Sequence, residues 1–96
     1  MIKIRYAIID NQFQIECEGH AHYDEIGKDS VCAAVSTLMQ TLYAHTRCSV
    51  CIKDGYMYAS GRDIEGAKMI ITGLNMIANS YSDYVSIEPC RCPINP

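Results

Sequence analysis

Hydrophobic and polar residues alternate between Ile2 and Glu18, which is typical of two consecutive β-strands. Successive side chains of a strand point to opposite faces, so a period of two predicts one buried and one solvated face. The two runs meet around Asp10-Asn11, where the strands are expected to join. Their apolar positions are Ile2, Ile4, Tyr6 and Ile8, followed by Phe13, Ile15 and Cys17.

Apolar residues recur at helical spacing after this pair of strands. The pattern predicts a helix from Val31 to about Thr46, with Asp29 or Ser30 suited to cap its start. Between Gly19 and Asp29 no periodicity is visible, which favours a loop of about ten residues, a length typical of functional lids. The apolar stripe of the helix consists of Val31, Val35, Leu38 and Leu42.

The second half of the chain repeats the strand-strand-helix pattern. Asp54-Gly55 is a strong signal for a tight turn between two strands, Ser49 to Lys53 and Tyr56 to Ser60. A second amphipathic helix follows, opened by Asp63 and ending near Tyr81. Its stripe consists of Ile64, Ala67, Ile71, Leu74 and Ala78, and Val85 and Ile87 then indicate a short last strand before Pro89, Pro93 and Pro96.

The order of elements is therefore ββαββαβ, within a single domain of residues 1–96. This order favours an α+β domain, in which a mainly antiparallel sheet is covered by two helices. A chain of 96 residues buries one modest core.

The net charge and the hydropathy of the chain limit the classes of partner that we expect it to bind. The net charge is -3, and the eight Lys and Arg residues form no basic run, so we expect no direct contact with nucleic acid. No apolar run approaches the length of a membrane span, and Met1-Ile2-Lys3 does not begin a signal peptide. The sequence is that expected of a cytoplasmic protein that binds no membrane.

Six cysteines in a chain without a visible secretion signal are expected to be reduced thiols. A structural zinc site is the alternative, with Cys48 and Cys51 as one pair of ligands and Cys90 and Cys92 as the other. Residues three apart on a strand point to opposite faces, however, so Cys48 and Cys51 do not easily bind one ion. We predict neither a metal nor a cofactor.

One cysteine and one histidine form a candidate catalytic pair. His20 precedes Cys32 by twelve residues, and Cys32 opens a predicted helix whose N-terminus favours the reactive thiolate. The structural alternative is that Cys32 is a small core residue and that His20 forms hydrogen bonds within its loop. Two further alternatives are His22 as the base, and a metal held by Cys17, His20, His22 and Cys32.

The residues around this pair resemble the ribosomal-processing cysteine protease (Prp) family of bacteria. The resemblance implies an endopeptidase, dimeric in the family, that removes a short N-terminal extension from large-subunit ribosomal protein number twenty-seven, cutting after paired aromatic residues. Relatives from phages are expected to process other proteins. The matching residues are Gly19-His20-Ala21, Tyr23, Gly27, Asp29 and Val31-Cys32-Ala33-Ala34-Val35-Ser36.

The same resemblance implies a role for each site residue. Cys32 would be the nucleophile and His20 the general base. Asp29 would cap the helix or brace the loop, and Ser36 would bind substrate or its own helix backbone. Backbone N–H groups at the helix start would bind the oxyanion. Apart from the resemblance, the glycines Gly19 and Gly27 at the two ends of the loop are expected to let it move as a lid.

A second class of function fits the same residues. A non-catalytic interaction domain with an inert Cys32 would use the same loop and helix edge to bind a ribosomal or capsid protein. The two hypotheses differ in thiol chemistry, because only a catalytic Cys32 should be alkylated faster than Cys48 or Cys90.

Overall fold

The computed structural model describes residues 1–25 and 28–96. Its elements follow the predicted order ββαββαβ. Asp29 and Asp63 are the N-caps of the two helices. The elements are β1 (Ile2–Ile9), β2 (Gln12–Glu18), α1 (Ser30–His45), β3 (Cys48–Lys53), β4 (Tyr56–Gly61), α2 (Ile64–Ser80) and β5 (Val85–Pro89).

Five strands form one sheet in the order β3-β4-β2-β1-β5. Among the residues that the structure describes, three of the neighbouring pairs are antiparallel and only β1 and β5 run parallel, so the sheet is mainly antiparallel as predicted. Asp10 and Asn11 form the β1–β2 turn with positive φ angles of 52° and 61°. Both residue types tolerate this conformation, which matches the twist of a two-residue hairpin.

Both helices contribute to one core on the same face of the sheet. Phe13, Ile15 and Cys17 of β2 are buried there, as their alternation predicts. On α1 the fully buried residue in the middle of the stripe is Met39 rather than the expected Leu38. Leu38 is half-buried because it lies against Gly73 of α2. Within the described residues, no helix is both long and apolar enough to cross a membrane.

The opposite face of the sheet is covered by the C-terminal tail. The Gln14 side chain donates to the carbonyl of Ile94 at 2.8 Å and accepts from the N–H of Ile94 at 2.8 Å. Ile94 is thereby buried against Ala7 and Tyr58. The prolines do exclude regular structure from the tail, but the tail packs on the domain.

The edge strand β3 is only partly covered. Val50 and Ile52 pair with Ala59 and Met57 of β4 and share their face, yet they are 47% and 58% exposed. The helices cover the middle of the sheet and leave this edge open. An apolar groove therefore lies between α1 and the β3–β4 hairpin.

Candidate active site

Cys32 lies in the first turn of α1, directly after the cap. One oxygen of Asp29, Oδ1, accepts the N–H groups of Val31 and Cys32, each at 3.0 Å. The Ala33 N–H donates to the Asp29 carbonyl at 3.0 Å. These three amides are therefore occupied, and the expectation that they would bind an oxyanion is not supported by this geometry.

The second oxygen of Asp29 holds the loop. Oδ2 accepts the N–H of Tyr23 at 2.9 Å and that of Asp24 at 3.3 Å. Burial alone would raise the pKa of Asp29, but hydrogen bonds from the N–H groups of Cys32, Asp24, Tyr23 and Val31 outweigh it and lower the pKa. Asp29 thus performs both roles that the sequence left open, capping the helix and bracing the loop.

The end of β2 brings the histidine segment to the start of α1. The backbone N–H of Ala21, the residue after His20, donates to Sγ of Cys32 at 3.3 Å. The Ala21 side chain is buried in the main core, which fixes this point of the loop. Within residues 1–25 and 28–96, no hydrogen bond joins the His20 ring directly to Cys32.

Gly19 makes the turn that leads into His20. Its φ of 101° is a conformation that residues with a side chain rarely adopt, and a Cβ there would lie 2.4 Å from the Met1 carbonyl oxygen. Its N–H donates to the Gly55 carbonyl at 2.8 Å. Gly19 is thus fixed between two backbone segments in this structure. Gly27, the other expected hinge, lies outside the described residues.

His20 is half exposed at the mouth of the site. Its Nε2 lies 3.8 Å from Oδ1 of Asp54, and its ring lies over Gly55 in the β3–β4 turn. The ring centroid of His22 is 6.0 Å away, and His22 has a positive φ of 57°. Both histidines are exposed, and His22 lines the space between α1 and the loop that Cys32 also lines. His20 directly precedes Ala21, whose N–H contacts the Cys32 sulfur.

Two open cavities meet at the candidate pair. One, of about 290 Å³, lies between α1 and the β3–β4 hairpin, and the other, of about 340 Å³, lies between α1 and the loop. His20, Cys32 and Ser36 line both of them. The three predicted site residues are therefore brought together, with space for a ligand on either side.

Cys17 is the other thiol at the floor of the hairpin cavity. Burial, with a smaller contribution from the charge of Glu16, raises the pKa of Cys17 to about 12. Cys17 is therefore a protonated and largely inaccessible thiol at neutral pH. Of the two cysteines in the cavity, Cys32 is the accessible one.

The cysteines Cys48, Cys51 and Cys90 pack in other parts of the domain. Cys48 packs against the helix-side core and Cys51 against the tail-side cluster, so the two point to opposite faces as predicted. Cys90 also belongs to the tail-side cluster, and all six cysteines are free thiols. Among the residues that the structure describes, no three His, Cys, Asp or Glu side chains are grouped to hold a metal ion.

The sequence did not reveal the part played by the β3–β4 turn in this site. Asp54-Gly55 signals a hairpin, but only the antiparallel pairing of β2 with β4 brings that turn to His20. Gln40 and Ile52, on the walls of the hairpin cavity, were missed for the same reason. A contact between strands that are far apart along the chain produces no local pattern in the sequence.

Comparison with known proteins gives a family and a fold. A family model described as "Cysteine protease Prp" matches residues 1–86. No curated protein matches the chain significantly. The ribosomal processing protease Prp from S. aureus superposes with a TM-score of 0.80 at 20% identity in its complex with a covalently linked product peptide, covering 94% of this chain and 100% of that one.

Two further structures are similar. The S. aureus protease in complex with a substrate peptide has a TM-score of 0.76 at 18% identity and covers 94% of this chain and 100% of its own. The protein SMU.848 from Streptococcus mutans has a TM-score of 0.71 at 26% identity and covers 93% of each chain. The S. aureus structures show that the fold is shared over nearly the whole chain.

Proposed function

The chain belongs to the Prp family of cysteine proteases, and from this premise we propose that it is an endopeptidase with Cys32 as nucleophile and His20 as general base. Its proposed substrate is the N-terminal extension of large-subunit ribosomal protein number twenty-seven or of a related phage protein. The relative from S. aureus is a ribosomal processing protease that has been captured with substrate and product peptides, which supports a peptide substrate.

One observation carries the proposal. The Ala21 N–H group donates to the Cys32 sulfur, which holds the segment containing His20 against the start of α1. The pair also lines both cavities, so a peptide lying in either one would pass the sulfur. A thiol buried for packing alone would not line an open cavity.

The proposed reaction passes through an acyl-enzyme. His20 takes the thiol proton as Sγ of Cys32 attacks the carbonyl carbon of the scissile peptide, and the new C–S bond gives a tetrahedral intermediate. The C–N bond then breaks, and His20 gives its proton to the leaving amine. Water attacks the thioester while His20 takes a proton, the C–S bond breaks, and the thiol is reprotonated as the carboxylate product leaves.

The Ala21 N–H group is the best-placed donor for charge near the reacting atoms. It lies 3.3 Å from Sγ, whereas the amides of Val31 and Cys32 are held by Asp29. A fixed backbone donor at this point stabilises a thiolate before attack and the oxyanion that forms beside it. We therefore place the oxyanion site at the loop rather than at the first turn of α1.

The hairpin cavity is the proposed groove for the substrate. Cys17, Val35 and Met57 supply apolar surface, and the exposed Ile52 extends it along β3. An extended peptide places alternate side chains into such a groove, and aromatic side chains bury the most area there. This supports cleavage after apolar or aromatic residues. The homodimer and the cytoplasmic location stay predictions.

A cleavage assay on a tagged ribosomal protein with its N-terminal extension tests the proposal. The wild-type chain should remove the extension, and Cys32→Ala should not, although it still folds. Alkylation with iodoacetamide gives a second readout, since Cys32 should react faster than Cys48 or Cys90. Failure to cleave, together with equal alkylation of these three thiols, would support the non-catalytic interaction domain instead.

A further inference from the structure

The turn between β3 and β4 lies against the ring of the proposed base. A Cβ placed on Gly55 would be 2.9 Å from Nε2 of His20 and 3.4 Å from Cδ2. Cβ atoms in proteins essentially never approach a neighbour so closely, so a side chain at position 55 and the ring in its present place exclude each other. The positive φ of 68° at Gly55 separately favours glycine.

Two hydrogen bonds fix this turn to the strand that precedes His20. Gly55 accepts the N–H of Gly19 at 2.8 Å. The next residue, Tyr56, donates its hydroxyl to Oε2 of Glu16 at 2.8 Å. Glu16 is itself buried and paired with Arg5, which holds the carboxylate in place. The end of β2 and the turn are thus a single rigid unit, with the His20 ring resting on it.

The carboxylate of Asp54 in the same turn affects the position of the His20 ring less than Gly55 does. Its Oδ1 lies 3.8 Å from Nε2 of His20, which is beyond hydrogen-bond distance, and the Asp54 side chain is fully exposed. A charge pair in water and salt is strongly screened. The close approach permitted by glycine at position 55 is the feature that sets where the ring lies.

We infer that Gly55 is a positioning residue for His20, keeping the imidazole at the cavities that Cys32 also lines by leaving room for it on the turn. The inference rests on the proposed function, because the position of the ring affects activity only if His20 is the general base. A side chain at position 55 would push away the far end of a half-exposed side chain, which moves easily. The protein would therefore stay folded while its base is displaced.

Gly55→Ala tests this inference, with Asn11→Ala as its matched control. Both positions have a positive φ, 68° and 61°, so alanine strains the backbone in both hairpin turns. Asn11 lies at the opposite end of β2, away from His20. Both variants should lose thermal stability, while only Gly55→Ala should affect the ring. Gly55→Asn adds the same Cβ in a residue that tolerates the positive φ, in case Gly55→Ala does not fold.

Two readouts separate positioning from a general structural effect. The ring carbon-proton NMR signals of His20 should shift in Gly55→Ala but not in Asn11→Ala, and those of His45 should stay unchanged in both. With a peptide that the wild type cleaves, kcat should fall at least about tenfold in Gly55→Ala, and KM should change less than about threefold.

Contrary results are equally clear. Unchanged His20 signals or an unchanged kcat in both Gly55 variants would overturn the inference. A rise in KM alone would also overturn it, since it would make the turn only a wall of the peptide groove. If the wild type cleaves no peptide, the proposed function fails, and the NMR comparison alone decides whether Gly55 sets the ring position.

Discussion

The carboxylate of Asp29 accepts the backbone N–H of Cys32 at 3.0 Å, so the amide of the proposed nucleophile is bonded to the residue that caps its helix. The other oxygen of the same carboxylate holds the loop at Tyr23. One side chain therefore ties the start of α1 to the segment that follows His20. A change at Asp29 should disturb both together.

Asp29→Ala should lower the free energy of unfolding by about 2 kcal/mol, the upper end for an N-cap, because four N–H groups lose their acceptor. Activity should fall as well, since the loop is released. Asp63→Ala is the matched control, because Asp63 caps α2 by accepting the N–H of Gly66 and lies outside the site. Urea denaturation and peptide cleavage measure the two effects. Full activity in Asp29→Ala would contradict the bracing role.

The contribution of Asp29 to stability should depend on pH. Its pKa is lowered from the ordinary 3.8 in the folded protein, so ionised Asp29 favours folding. This stability is fully present above the unfolded pKa of 3.8 and is lost as the pH falls through the lower folded value. The difference in unfolding free energy between the wild type and Asp29→Asn should therefore be constant near neutrality and shrink in acid. A difference that grows in acid would reverse the sign argued here.

Cys32→Ala and His20→Ala should each abolish cleavage, because nucleophile and base act as one unit. His22→Ala should keep substantial activity, and His45→Ala, at the far end of α1, should be indistinguishable from the wild type. Peptide cleavage with circular dichroism as a folding check measures this. An inactive His22 variant beside an active His20 variant would exchange the roles of the two histidines.

The substrate should require an apolar or aromatic residue before the cut. Replacing aromatic residues there by alanine should lower kcat/KM at least about tenfold, which corresponds to only about 1.4 kcal/mol of transition-state binding. A panel of synthetic peptides measures the ratio. Equal turnover of the alanine and aromatic peptides would mean that the groove beside Ile52 does not select the substrate.

Purified protein should contain no stoichiometric zinc, and a chelator should change neither its melting temperature nor its activity. The physical reason is the placement of Cys48 and Cys51 on opposite faces of the sheet. Metal analysis by mass spectrometry, with thermal unfolding before and after chelation, provides the measurement. One tightly bound zinc per chain, with unfolding on its removal, would replace the protease proposal.

Local patterns predicted the elements of this fold because each has its own period and punctuation. The alternation at Phe13 and Ile15 identified the buried face of β2, and Asp29 marked the start of α1. In β3 the apolar pattern did not predict burial. Val50 and Ile52 lie on the apolar face of the sheet, but at an edge that the helices do not cover, so both are exposed.

Contacts between distant segments were not predictable in the same way. The parallel pairing of β5 with β1 and the antiparallel pairing of β4 with β2 depend on how the whole chain closes. The position of Gly55 under His20 follows from the second pairing. The site was predicted as a pair of residues, but its walls and supports required the assembled sheet.

The tail fastened by Gln14 has a practical consequence for experiments on this chain. Ile94 is buried on the sheet face away from Cys32, while Pro96 is exposed. An affinity handle or a surface linker attached after Pro96 would leave from the back of the domain. Immobilised in that way, the protein would present its groove to a large partner such as a ribosomal particle.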